Sequence, residues 1–319
     1  MAGNQFAADV KDYLEYIRNN FSKSTYQEKR RKLKFHSNTL YDLFKEKKIS
    51  SCNPRKITAR DLDVYVIYRR SMGIKDSTIR KDLSMIGDVL NHYDNNAKAK
   101  YDRDFGNRKP KSYEGRLPPL PNETIEQVYD LARRTTSWPV LEGCVAIILG
   151  CASGLRPQEV RMLYVKDVHY DSPRPTIHVE HVKGEGKWGR SRNVPINDGV
   201  EDILGKYIRM REVQIKKYKV LDTGAMFPPC RTDDEFITQQ SLGKLKDRVA
   251  RILDTQFVLK DARRAFGQRM LDAGVPIEYV SKCMGHASVV TTQRYYADYQ
   301  ENQVLNSVFG IMGGGKQKV

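Results

Sequence analysis

The chain has 319 residues, more than a typical single domain, so two domains are expected. With 55 Lys and Arg against 39 Asp and Glu it carries a formal net charge of +16, which points to a polyanion as partner and makes nucleic acid the better reading, although an anionic membrane surface also fits charge alone. No apolar run reaches the length of a membrane span, the N-terminus is not built like a signal peptide, and the five cysteines show no CxxC spacing, which argues against a membrane protein, a disulfide framework and a zinc site. A soluble, cytoplasmic protein is expected.

The N-terminal third reads as helical throughout. Val10, Tyr13, Leu14 and Ile17 follow helical spacing, as do Leu33, Leu40, Leu43 and Phe44, then Leu62, Tyr65, Val66 and Arg69. Thr58 followed by Asp61 predicts a capped start, and a fourth helix is expected from Asp76 or Ser77, carrying Ile79, Leu83, Ile86 and Leu90. Cations crowd these helices at Lys29, Arg30, Arg31, Lys32 and Lys34, at Arg69 and Arg70, and at Lys75, Arg80 and Lys81. Most charge runs are solvated helix faces. In so basic a chain some should meet phosphates, and Ser77, Thr78, Arg80 and Lys81 at a helix start are the preferred contacts.

From Phe105 to Pro121 the chain is basic and rich in Pro and Gly, which predicts a linker between residues 1–104 and a second domain at 122–300. Asn122–Arg134 has an amphipathic helical pattern, and Leu141–Ala152 is apolar enough to be buried, with Cys144 and Cys151 as core residues. Gly154 ends that helix. Pro157 suits the first turn of another, so Arg156 is held at a helix start with Val160 and Leu163 behind it.

Thr176–Val182 and Arg190–Ile196 read as paired strands joined by the glycine-studded KGEGKWG turn, which holds Lys183 and Lys187. His178 and His181 invite a metal reading, but residues three apart on a strand face opposite ways. Asp233, Asp234 and Glu235 could suggest a two-metal nuclease; they precede a helix expected near Thr238, where acidic residues serve as caps. No Walker A motif, HExxH or dinucleotide fingerprint is present, so no cofactor is expected.

The segment from Lys260 to Tyr295 concentrates the chemistry. Lys260 and Arg263 lie three apart at a helix start, on one face. That helix ends at Gly274, Pro276 opens the next, and Gly285 closes it, leaving His286 just beyond. Ser288 or Thr291 can cap a third helix carrying Tyr295 and Tyr296.

Lys-x-x-Arg at 260–263, Gly-His at 285–286 and Thr-Thr-Gln-x-Tyr ending at Tyr295, with Gly154-Leu-Arg-Pro-Gln-Glu159, Val182-Lys183-Gly184 and Val194-Pro195 upstream, resemble the tyrosine recombinases of the phage integrase and Xer type. The resemblance covers roughly the C-terminal two thirds of the chain; the N-terminal third fits by helical character and charge, in the place of that family's core-binding domain. It implies a mainly α fold, with a helical DNA-binding domain ahead of an α-rich catalytic domain that carries a small antiparallel sheet. It also implies that Arg156, Lys183, Lys260, Arg263, His286 and Tyr295 are catalytic, with Glu159 supporting Arg156. Lys183 is preferred to Lys187 as general acid because Gly184 follows it. Lys260 departs from the histidine commonest at its place, though the family tolerates lysine there, including in archaeal integrases.

The implied activity is cleavage and rejoining of double-stranded DNA through a 3′-phosphotyrosyl bond, for integration, excision or resolution. A type IB topoisomerase shares the chemistry, and a site-specific DNA-binding protein that no longer cuts is the third reading. The implied assembly is a homodimer on one site and a tetramer when two sites pair. Residues 301–319 include the apolar positions Val304, Leu305, Val308, Phe309, Ile311 and Met312; a terminal amphipathic segment more commonly packs back on its own domain, but in the resembling family the corresponding segment often docks on a neighbouring protomer.

Overall fold

The computed structural model describes residues 4–111, 117–182, 189–229 and 234–296. The chain divides into two compact units, Met1–Gly115 and Arg116–Val319.

Unit 1 is a bundle of helices: α1 (Gln5–Tyr16), α2 (Lys23–Lys45), α3 (Ala59–Ser71), α4 (Asp76–His92) and α5 (Ala97–Asp104). The apolar spacing seen in the sequence forms its core, with Phe6, Leu33, Leu40, Leu62, Tyr65, Ile79 and Ile86 fully buried. Thr58 and Asp61 make the reciprocal capping box that starts α3. The short α5 adds Ala97 and Tyr101 to the core, a pattern too sparse for the periodicity to reveal.

The cations of unit 1 divide into two kinds. Arg69 is buried and donates to Asp82 at 2.9 Å, beside a bond of 2.9 Å between Tyr65 Oη and His36 Nδ1. Burial pushes the Asp82 carboxyl up, but His36 and Arg69 outweigh it and hold the carboxyl below its ordinary value. Arg70 is held by both oxygens of Asp76, at 2.8 and 2.9 Å. Arg30, Arg31, Lys34, Lys75, Thr78, Arg80 and Lys81 are exposed, and Ser77 is half-buried.

Residues after α5 attach to unit 1: Phe105 stacks on Tyr101 at 5.5 Å, and Arg108 reaches Asp63 at 2.7 Å. Leu120 belongs to the core of unit 2 and donates its N–H to Asp261 O at 3.0 Å. Between these attachments, residues 112–116 lie outside the described residues.

Unit 2 contains α6 (Asn122–Arg134), α7 (Trp138–Cys151), α8 (Pro157–Arg161), β1 (Val168–His169), β2 (Thr176–Val179), β3 (Arg192–Pro195), α9 (Glu201–Tyr218), α10 (Gln239–Ile252), α11 (Leu259–Asp272), α12 (Ile277–Cys283) and α13 (Val289–Tyr296). The strands form one antiparallel sheet in the order β1-β2-β3, with Thr176 opposite Pro195 and Val179 opposite Arg192. The strands are shorter than the sequence suggests. A mainly helical fold with a small antiparallel sheet is thus what the chain adopts.

Helix α7 is the centre of unit 2, buried from Leu141 to Cys151 without a break. Its glycines let neighbours approach: a Cβ on Gly150 would lie 2.9 Å from Ala262 Cβ of α11, and one on Gly143 would lie 2.5 Å from Leu245 O of α10. The far half of α11 is tied by Asp198, which accepts from Arg269 at 2.7 and 2.8 Å and from the Tyr129 hydroxyl of α6 at 2.6 Å. Helix α11 is therefore fixed at both ends, which matters because it carries Lys260 and Arg263. Among the described residues no helix is long and apolar enough to cross a membrane.

Candidate active site

Arg156 enters α8 in extended conformation, with Pro157 setting the first turn. Its backbone N–H and its Nη1 both donate to Glu159 at 2.8 Å, and Nη2 donates to Gly285 O at 2.7 Å. Two donors of a fork of about five are thereby engaged, so Arg156, with its side chain 21% exposed, keeps N–H groups for an outside acceptor.

Arg263, on α11, is 5% exposed. Its Nη1 donates to Gly154 O and its Nη2 to Met284 O, both at 2.5 Å, and Nη2 also meets His286 Nε2 at 3.1 Å. Gly154 and Gly285 adopt φ of +65° and +61°, turning the chain sharply where these arginines bind.

A third arginine joins them. Arg192, on β3, grips Glu159 through Nη1 at 3.1 Å and Nη2 at 2.9 Å, and its Nε donates to Cys283 O at 2.8 Å. Two kinds of negative charge hold the three guanidinium groups together: the single carboxylate of Glu159, and the carbonyls of Cys283, Met284 and Gly285 at the C-terminal end of α12, which have no partners within their helix. Burial pushes the Glu159 carboxyl up, but Arg192 and Arg156 outweigh it and hold it below the ordinary carboxylate range.

An arginine fork only donates, so the contact with Arg263 makes His286 Nε2 an acceptor. The ring proton then sits on Nδ1 and is donated to Thr292 Oγ1, 2.8 Å away and fully buried. Burial, then the charges of Arg263, Arg156 and Arg192, lower the His286 pKa to about 3 against the pull of Glu159. The imidazole is neutral at physiological pH.

Arg156, Arg263, His286 and Glu159 therefore meet at one place. Thr292 links them to α13, which carries Tyr295 one turn further on. The Tyr295 side chain lies outside the described residues, as do Lys183, Lys187 and the 301–319 segment. Lys260 is exposed in the first turn of α11, whereas Arg263 faces inward, so the two do not share one environment. Among the described residues Lys260 has no hydrogen bond or ion pair. Ser288, rather than Thr291, starts α13, accepting from the Val290 N–H at 3.3 Å; Thr291 lies within the helix.

The groups behind the rival readings have these surroundings among the described residues. His178 bonds Asn193 at 2.8 Å and Glu180 at 2.9 Å, while His181 packs against the rings of Tyr164 and Phe236. Glu235 accepts from Tyr164 Oη at 2.5 Å, Asp234 is exposed, and Asp233 lies outside the described residues. Thr238 caps α10 by accepting from the Ser241 N–H at 3.1 Å. Cys144 and Cys151 are core residues whose thiols burial pushes up to about 12.

Arg192 and Thr292 were not picked out by sequence. Arg192 had a signal: it lies two positions before the buried Val194 on a strand, so it shares the inward face and needs a buried anion there. Thr292 stands in the Thr-Thr-Gln-x-Tyr motif, which marks the segment but not this threonine's bond to His286.

Residues 120–302 match the phage integrase family, a span of more than half the chain, and the chain belongs to that family. It is a tyrosine-type DNA strand transferase. It is 20% identical to tyrosine recombinase XerD of Listeria monocytogenes over 246 residues, covering 76% of this chain and 79% of that one. With XerD of Rickettsia prowazekii it shares 24% identity over 252 residues, covering 78% and 79%. The fold resembles that of the Tn1549 transposon integrase in complex with circular intermediate DNA, at a TM-score of 0.67 and 17% identity, over 95% of this chain and 99% of that one.

Proposed function

We propose that this protein is a site-specific recombinase that cuts and rejoins double-stranded DNA through a 3′-phosphotyrosyl bond to Tyr295. The observation that carries this reading is the gathering of Arg156, Arg192 and Arg263 around one buried carboxylate beside His286. Three guanidinium charges against one carboxylate leave a surplus of positive charge where a phosphodiester becomes five-coordinate. The DNA-bound Tn1549 integrase supports DNA as the partner.

In this reading Arg156 and Arg263 neutralise the non-bridging oxygens. The Tyr295 oxygen attacks phosphorus as its phenol proton leaves to an acceptor, the bond to the 5′ oxygen breaks, and Lys183 supplies that oxygen with a proton. Lys187 is the alternative donor. His286, neutral and accepting at Nε2, orients Arg263 against the phosphate; Lys260 adds a cation at the mouth. A phenol with a pKa of about 10 needs this help to act near neutral pH. Attack by a 5′ hydroxyl reverses the steps, and a hydroxyl from a second duplex gives strand exchange.

The same reading assigns residues 1–104 to DNA binding through Ser77, Thr78, Arg80 and Lys81, 105–121 to a linker, 122–300 to catalysis and 301–319 to contact with a neighbouring protomer. It implies a dimer on each site, a tetramer in synapsis, and action at the nucleoid.

Nicked duplexes with random cores test it. Wild type should form a covalent adduct whose labelled peptide centres on Tyr295, and Tyr295→Phe should bind without forming it. A peptide centred on Tyr296 overturns the assignment. Relaxation of a closed supercoiled plasmid without exchange between duplexes would favour a topoisomerase, and binding without adduct a protein that no longer cuts.

A further inference from the structure

Arg192 makes three side-chain hydrogen bonds that join its own strand to two pieces of chain the sequence sets far from it and from each other. It stands on β3, the strand that leaves the lysine turn, grips both oxygens of Glu159 on α8, and donates to Cys283 O at the end of α12. Its side chain is 11% exposed, and the turn at Gly285 closes directly on its guanidinium, with space for a hydrogen but not for a methyl group. Arg156 and Arg263 bind the same carboxylate and the next two carbonyls along, at Gly285 and Met284. Removing Arg192 would leave Glu159 to the other two, drawing their forks inward and away from an incoming phosphate. It would also release the corner that carries His286.

We propose that Arg192 is a positioning residue: by holding Glu159 and the end of α12 it keeps Arg156 and Arg263 turned toward the phosphate and fixes the His286 corner. This inference rests on the recombinase reading for its effect on rate, but its effect on the corner stands independently. Three of its N–H groups already serve protein acceptors and its side chain is 11% exposed against 21% for Arg156, so Arg192 is less open to DNA than Arg156.

Lysine retains the charge but not the fork, so Arg192→Lys separates geometry from electrostatics. On the nicked duplex recovered with wild type, Arg192→Lys and Arg192→Gln should bind with wild-type affinity and cleave at least about tenfold more slowly in single turnover. The His286 ring, followed by NMR without DNA, faces Arg263, Arg156, Arg192 and Glu159. Its resonances at neutral pH should move in Arg192→Lys as well as in Arg192→Gln, because lysine keeps the charge but not the grip on Glu159 and Cys283 O.

Cleavage at the wild-type rate by folded Arg192→Lys overturns the proposal, as does affinity that falls as far as rate. If Arg192→Gln does not fold, Arg192→Lys carries both measurements. If wild type forms no adduct on any nicked duplex, the recombinase reading fails; His286 resonances unmoved in Arg192→Lys then overturn the positioning role, and moved ones support it.

Discussion

A Cβ placed on Gly285 would lie 2.9 Å from Cζ of Arg192 and 3.0 Å from its Nε and Nη1. The end of a long side chain usually moves aside at little cost, but this one is pinned by bonds to Glu159 and Cys283 O. Gly285 also has φ +61°, where a side chain costs about 1–2 kcal/mol. Gly285→Ala should therefore lower the melting temperature and slow cleavage at least about tenfold while DNA affinity holds, because binding is spread over many phosphates. A folded Gly285→Ala that cleaves like wild type would show that the corner tolerates displacement of Arg192.

Arg156 and Arg263 should differ in what their removal does. Arg263→Ala leaves the buried carbonyls of Gly154 and Met284 without their donor, so it should cost about 2–5 kcal/mol of stability as well as rate. Arg156 is more exposed and should cost less in stability, with cleavage slowed about 10² to 10³-fold. Chemical denaturation alongside single-turnover cleavage checks both. Equal loss of affinity and rate in Arg156→Ala would make it an ordinary phosphate anchor.

The parts of this architecture that follow from local rules were legible in the sequence. Gly274 and Gly285 take positive φ, as C′ positions require; Thr58 and Thr238 cap; and Asn122–Arg134 is a helix over the range its apolar spacing sets. What could not be read was partnership. Arg69 follows the apolar spacing of α3 that turns it inward, but its partner there, Asp82 of α4, could not be read, whereas Arg80 lies off the apolar face of α4 and is exposed. Lys260 and Arg263 separate because close packing of Ala262 on Gly150 fixes the rotation of α11. Arg192 needed Glu159, thirty-three residues away, to explain it.

His286 should stay neutral across the working pH range. Its folded pKa, about 3, lies below the ordinary 6.5, so the unfolded chain binds its proton first as pH falls. Stability from this group is complete above about pH 6.5 and is lost progressively toward pH 3. In His286→Gln that part of the acid dependence should vanish, and the wild-type cleavage rate should show no histidine titration between pH 6 and 8. An NMR midpoint for His286 near 6.5 would contradict the tautomer set by Arg263 and Thr292.

The two kinds of cation in unit 1 give the last test. Arg80 and Lys81 are exposed on the first turns of α4 beside the buried Ile79, so replacing either with Ala should leave stability within about 0.5 kcal/mol of wild type. If they bind phosphates, each replacement removes one counterion-releasing contact and lowers the slope of log affinity against log salt by about one. Arg69→Ala should do the reverse: it leaves the buried Asp82 to His36 alone and should destabilise unit 1 by about 3 kcal/mol. At a temperature where the variant stays folded, its salt slope should match wild type. Titration of a duplex at several salt concentrations decides between them. An unchanged slope for both Arg80→Ala and Lys81→Ala would remove the start of α4 from the DNA surface and leave the exposed cations of α2, Arg30, Arg31 and Lys34, as the next candidates.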